Sequence, residues 1–161
     1  MSDSLTMVVE IPRGSRNKYE VDHVSGEIYL DRMLFTATRY PADYGYIPDT
    51  LADDGDPLDV MVLVQEPTFP GCRIRIRVVG VFLMEDQSQS DDKLIAVPAG
   101  DPRFEAYQDV DDVPEHLRQE LQHFFSVYKE LEGKPTRAIG WRDAATANEI
   151  LRRAIDAYPG H

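Results

Sequence analysis

The sequence predicts a mainly β fold of α+β character: a five-stranded, OB-like closed β-barrel with two C-terminal peripheral helices, as one domain over residues 1–161. Three observations predict it. Short stretches of strand character fill the first two-thirds of the chain. Helical stripes fill the last third. No repeat, low-complexity tract or linker divides the 161 residues, a length that can bury a core unaided.

Each element has its own signal. Leu5 to Ile11 is apolar and β-branched, and Pro12-Arg13-Gly14-Ser15 ends it. Lys18 to Val21 and Ile28 to Leu30 flank Val24-Ser25-Gly26-Glu27, which reads as a hairpin turn. Val60 to Val64 is a continuous apolar run, so a buried strand. Arg73 to Val81 first alternates basic and apolar residues, as a half-exposed strand does, and continues to Met84. Lys93 to Pro98 is a further strand. Asp111-Asp112-Val113-Pro114 then starts a helix whose stripe is Leu117, Leu121, Phe124, Phe125, Tyr128 and Leu131, with Gly133 as its stop. Asp143 caps a second helix carrying Ile150, Leu151, Ala154 and Ile155.

Composition narrows the function. A net charge of −12 disfavours nucleic acid and anionic membrane surfaces, both of which need a basic face. One cysteine, Cys72, allows no intramolecular disulfide. No apolar run suits a membrane span, and the polar start Met1-Ser2-Asp3-Ser4 lacks signal-peptide character. A cytoplasmic location is the expectation. The charge is also clustered: Asp49 to Asp59 holds five Asp, and Asp86 to Asp92 holds three. Carboxylates this close oppose one another's ionisation unless a cation neutralises them.

Asp54-Gly55-Asp56-Pro57-Leu58-Asp59 feeds directly into the strand at Val60. Gly55 permits a tight turn and Pro57 fixes φ, so the acids sit on a shaped loop, with Asp59 at a strand mouth. Converging carboxylates suit hard cations. A calcium EF-hand loop does not fit: with Gly55 as its glycine, Thr50 and Ala52 would fill the first two ligand positions and Met61 the last. The second acidic group, Asp86, Asp91 and Asp92, also follows a strand, and Glu10 and Glu20 lie on the earliest ones. Lys18, Arg32, Lys93 and Lys129 stand near these acids or near aromatic residues, with Tyr40, Tyr44 and Tyr128. Carboxylates that hold a metal, beside cations and hydroxyls that take phosphate oxygens, describe a site for a metal–phosphate complex. At this point a metal-dependent hydrolase of a phosphate compound and a metal- or partner-binding barrel without turnover both remain open.

The chain resembles the soluble inorganic pyrophosphatases, the single-domain, Mg²⁺-dependent type found in bacteria. The motifs are Glu10-Ile11-Pro12, Lys18-Tyr19-Glu20, Asp31-Arg32, Tyr40-Pro41-Ala42-Asp43-Tyr44-Gly45, Asp54-Gly55-Asp56-Pro57-Leu58-Asp59-Val60, Asp86 with Asp91 and Lys93, and His123-Phe124-Phe125 into Tyr128-Lys129. They span nearly the whole chain in order. The resemblance implies hydrolysis of pyrophosphate to two orthophosphates with three to four Mg²⁺ ions per site, in a homohexamer of two stacked trimers. It implies that Asp54, Asp59 and Asp91 hold one metal, with Asp59 also touching a second. Asp86 and Asp91 would hold a third, and Glu10 a fourth that arrives with substrate. Lys18, Arg32, Tyr44, Lys93, Tyr128 and Lys129 would hold phosphate oxygens. Asp56 would be general base for a water bridging two metals, with Asp91 the competing assignment. Tyr40 would either bond to Asp56 or pack.

Several residues stand outside the pattern. Gln87-Ser88-Gln89-Ser90 reads as a polar, flexible loop. His23 reads as an exposed turn residue, His116 and His123 as residues of the first helix with His123 in packing or a subunit contact, Cys72 as a turn residue without a role, and Trp141 as core or interface.

Overall fold

The computed structural model describes residues 5–160; the polar start read from the sequence lies outside them. Among the described residues nine strands form: β1 Leu5–Ile11, β2 Asn17–Val21, β3 Ile28–Met33, β4 Asp43–Tyr46, β5 Asp59–Val62, β6 Arg73–Asp86, β7 Gln89–Ser90, β8 Lys93–Pro98 and β9 Thr136–Arg142. Helix α1 spans Glu115–Val127 and α2 spans Ala144–Ala157. Strands pair in the order β1, β4, β5, β8, β6, and β6 returns to pair with β1. That closure makes the expected five-stranded barrel. β5 and β8 run parallel, with Asp59 opposite Lys93. The other pairings are antiparallel.

Alternating side chains build two cores, one on each face of the strands. Tyr44, Met61 and Ile95 join α1 through Leu121, Phe124 and Phe125. Val60, Val62, Leu94 and Ala96 join α2 through Ala147, Leu151 and Ala154. Gly45 is required by a close approach of β1: a Cβ there would lie 1.9 Å from the Val8 carbonyl oxygen. Trp141 packs on Phe82 with ring centroids 4.9 Å apart, the core reading of its two alternatives.

The structure departs from the sequence reading in four places. β4 and β9 are strands that no periodic signal announced. β9 lies between the two helices and pairs with β6 outside the barrel ring. The first helix ends at Val127, and the 3-10 turn Glu130–Glu132 leaves Leu131 exposed and off the apolar stripe. The loop 87–90 is a tight hairpin: Glu85 pairs with Ser90 and Asp86 with Gln89. Gln87 and Ser88 form the turn with φ of 53° and 69°, and the Gln87 N–H donates to the Pro135 carbonyl at 2.9 Å. His123 is exposed, so it does no packing within the chain. His23 is exposed as expected, with an edge contact to Tyr46.

Candidate active site

Both acidic loops lie at one rim of the barrel. The first is held by its own backbone. Gly55 takes φ 88°, the Asp54 carboxylate accepts the Asp56 N–H at 3.0 Å, and the Ala52 N–H donates to the Asp56 carbonyl. Buried Thr50 accepts the Leu58 N–H and donates to the Ile47 carbonyl, anchoring the end that enters β5. The second loop is the β6–β7 hairpin with Asp91 after it. Between them lies a cavity of about 260 Å³ lined by Asp54, Asp56, Asp86, Gln87, Gln89, Ser90 and Asp91. A second space of about 100 Å³ runs behind Asp54, Asp59 and Asp91, under Ile150, Arg153 and Ala154 of α2.

Lys93 is the anchor of the rim. It is 2% exposed, and its Nζ donates to the Tyr44 hydroxyl at 2.7 Å and to Asp59 at 2.8 Å, with Asp91 at 3.0 Å. Its ammonium also faces the rings of Tyr44 and Phe125. The parallel register of β5 and β8 sets Asp59 beside it. Those carboxylates hold Lys93 charged against the cost of burial. On the neighbouring arc, Lys129 pairs with Asp86, and Tyr128 is buried beside it. Burial raises the Tyr128 hydroxyl above its usual range, so it stays protonated and able to donate.

Glu10 sits where the β1–β4 register shifts, between Val9 and Ile11. Such a bulge re-aims a side chain out of strand alternation. Its carboxylate accepts the Val21 N–H at 3.0 Å. Burial pushes its pKa up to about 7, with the charge of Asp59 adding to the shift. Burial likewise raises Asp54, Asp91 and Asp92. A second register shift, at Lys18–Tyr19, leaves Asp31 unpaired on β3 and sets Lys18 opposite Arg32. Asp31 therefore reaches both cations, lying 3.3 Å from Lys18.

Asp56 is different. It is exposed, and its carboxylate takes no hydrogen bond among the described residues. Tyr40 packs on Tyr44 and Phe124, the second of its two expected roles.

No three acid, His or Cys side chains among the described residues already surround one point as a metal site would. Lys93 and Lys129 hold the carboxylates instead. The donor set still fits a hard divalent cation: every candidate ligand is a carboxylate oxygen, and four of the acids at or beside the rim have raised pKa values that a cation would reverse.

The sequence and its resemblance point to Glu10, Lys18, Arg32, Tyr44, Asp54, Asp56, Asp59, Asp86, Asp91, Lys93, Tyr128 and Lys129. The structure brings Tyr44, Asp59, Asp91 and Lys93 into one contact group, Asp86 and Lys129 into another, and Asp54, Asp56, Asp86 and Asp91 around one cavity. It sets Lys18 and Arg32 on the separate β2–β3 hairpin. Missed were Asp31 as a bridge and Glu132, whose Oε2 accepts Arg32 Nε at 3.0 Å. Asp31 had a signal, an acid adjacent to Arg32; Glu132 had none.

The comparisons with known proteins agree with this geometry. The family model described as inorganic pyrophosphatase matches residues 7–159. The inorganic pyrophosphatase of Leifsonia xyli is 57% identical over 147 residues, covering 91% of this chain and 90% of its own. That of Streptomyces coelicolor is 53% identical over 153 residues, covering 94% of each. Two solved structures share the fold: the Thermus thermophilus inorganic pyrophosphatase, with TM-score 0.92, 52% identity and coverage of 96% and 91%, and the Helicobacter pylori enzyme, with TM-score 0.95, 43% identity and coverage of 98% and 95%. Barrel, rim and near-full-length identity lead to one conclusion: the chain belongs to the inorganic pyrophosphatase family.

Proposed function

We infer that this chain is an inorganic diphosphatase, hydrolysing pyrophosphate to two orthophosphates with divalent metal at the acidic rim of its barrel. The observation that carries the reading is the 260 Å³ cavity where Asp54, Asp56, Asp86 and Asp91 meet, edged by lysine-bound carboxylates. An acidic pocket attracts a small polyanion only if cations reverse its field.

Three to four Mg²⁺ ions are proposed, held by Asp54, Asp59, Asp86, Asp91 and, with substrate, Glu10. Bound Mg²⁺ supplies Lewis acidity, polarising phosphate oxygens and acidifying water. The protein's own groups do the rest. Lys18, Arg32, Lys93 and Lys129 take phosphate oxygens, and Tyr44 and Tyr128 donate to them. Asp56 accepts the proton of the attacking water as the P–O bridge breaks. Its free, exposed carboxylate favours it over Asp91, which is already engaged by Lys93 at 3.0 Å. The charge that develops on the departing phosphate spreads over the Arg and Lys groups.

The same reading holds that the chain works as one domain, since β6 contributes to both cores. It also holds that copies assemble as a homohexamer, for which the exposed Ile28, Tyr29, Leu30, Met33 and Phe35 supply apolar surface. A cytoplasmic setting suits a chain with a single free cysteine. No helix among the described residues is long and apolar enough to cross a membrane.

Phosphate release from pyrophosphate and from ATP, in Mg²⁺ and in EDTA, tests the activity. Release from pyrophosphate in Mg²⁺ alone is expected. Silence there would sink the reading, and equal release from ATP would overturn the substrate assignment. Light scattering tests the hexamer, which a monomeric mass refutes.

A further inference from the structure

Arg32 stands on a strand that cannot by itself aim it. The neighbours Tyr29, Leu30 and Met33 of β3 are 53%, 58% and 52% exposed. Within one chain those neighbours do not pack along its length. The guanidinium is nevertheless fully committed on one side. Its Nε donates to Glu132 at 3.0 Å, and its Nη1 pairs with Asp31. Its Nη2 is buried and has no partner among the described residues. A buried donor left without an acceptor is costly unless a ligand completes it.

The other end of the clamp is unusual for its surroundings. Glu132 closes a 3-10 turn whose Glu130 and Leu131 point outward, yet its own side chain is only 4% exposed. That turn starts at Lys129, which grips Asp86. One short segment thus holds a rim lysine at its beginning and the hairpin arginine at its end. The charges of Arg32, Lys93 and Asp59 all act on the buried hydroxyl of Tyr40.

We infer that Glu132 is the positioning residue of Arg32, holding its Nε so that the unpartnered Nη2 is presented to a phosphate oxygen of the substrate. The inference rests on the pyrophosphatase reading and adds to it a residue that touches no substrate. A guanidinium binds phosphate through a planar fork, so its orientation matters as much as its charge. Asp31 cannot replace Glu132 because it is shared with Lys18 and bonds a different nitrogen.

The test is a double-mutant cycle read in steady-state kinetics with pyrophosphate and Mg²⁺, after wild-type turnover is established. Glu132→Ala should raise KM about tenfold with a smaller change in kcat, and Glu132→Gln, which keeps an acceptor, should recover most of that loss. In an Arg32→Ala background, Glu132→Ala should add nothing further. Equal losses in both backgrounds would make Glu132 an independent structural residue and overturn the inference. A normal KM in Arg32→Ala would overturn it too, while leaving the pyrophosphatase activity standing. Should Glu132→Ala unfold, Glu132→Asp decides: it keeps the charge but withdraws the carboxylate by one methylene. A raised KM at unchanged Tm supports positioning, and an unchanged KM refutes it.

Discussion

The barrel and the β2–β3 hairpin hold their cations in different ways. On the barrel, Lys93 is aimed by backbone: it opens β8, the parallel register sets Asp59 beside it, and Tyr44 comes from the next strand but one. On the hairpin, Lys18 and Arg32 extend from β2 and β3, and β3 carries exposed apolar side chains; their aim comes from carboxylates, one at a bulge and one a hundred residues away. Backbone placement is stiff and couples chemistry to folding. Side-chain placement couples it to a few contacts that can change without disturbing the core. A substitution on the barrel should therefore cost stability and activity together, and one on the hairpin should cost binding alone.

The largest expected effect is Lys93→Met. It leaves Asp59 and Asp91 without their buried cation, so the metal-free protein in EDTA should lose about 3–5 kcal/mol of unfolding free energy, read from denaturant melts. Turnover should fall with it. An unchanged denaturation midpoint would break the comparison on its barrel side. Asp56→Asn comes next: kcat should fall roughly 10²-fold at normal stability, because the carboxylate is exposed and bonds to no described residue. Near-normal turnover would move the base to Asp91. The Glu132 substitutions follow, with their tenfold change in KM at constant Tm.

Asp143→Ala is the smallest and serves as the control. Asp143 caps α2 by accepting from the Thr146 N–H at 2.9 Å and from its hydroxyl at 2.8 Å, which lowers the Asp143 pKa below its ordinary 3.8. A lowered carboxylate pKa contributes stability that is fully present above the unfolded value and fades as pH falls through the folded one. Loss of the cap should lower Tm by roughly 2–4 °C near neutral pH and remove that acid-side dependence, with KM untouched. A shift in KM would show that stability and binding are not separable here.

Much of this is legible in the sequence. β1 and β8 were read at their observed ends because apolar, β-branched runs were cut off by Pro or a charged loop. The Gly55–Pro57 loop and the Asp143 cap carried turn and cap chemistry in single residues. β4 was hidden because Asp43-Tyr44-Gly45-Tyr46 contains two strand-poor residues, and its burial is set by β1 and β5 on either side. β9 was hidden between two helices, where Gly140 breaks its pattern. Leu131 matched the helical stripe, but Lys129 takes φ −109°, ψ 5°, and the helix has already ended. In the site, the set of charged residues was readable while most pairings were not. Which acid faces Lys93 depends on a strand register, and Glu132 meets Arg32 only through tertiary folding, so neither partnership leaves a trace in local sequence.

The parallel pairing of β5 with β8 also has a consequence for how the enzyme comes into being. Asp59 and Lys93 are 34 residues apart, and Lys129 comes later still. A chain growing from its N-terminus displays Asp53, Asp54, Asp56 and Asp59 well before Lys93, the partner of Asp59, exists. Contacts of such long range form slowly, after loop closure. Until then the unmatched acids repel one another, and their charge discourages the open edge of β5 from pairing with a neighbouring chain. The loop acids, among them those to which we assign metal binding, thus act first as guards of the unfinished protein, and no nascent chain ending before Lys129 holds the Asp86–Lys129 pair.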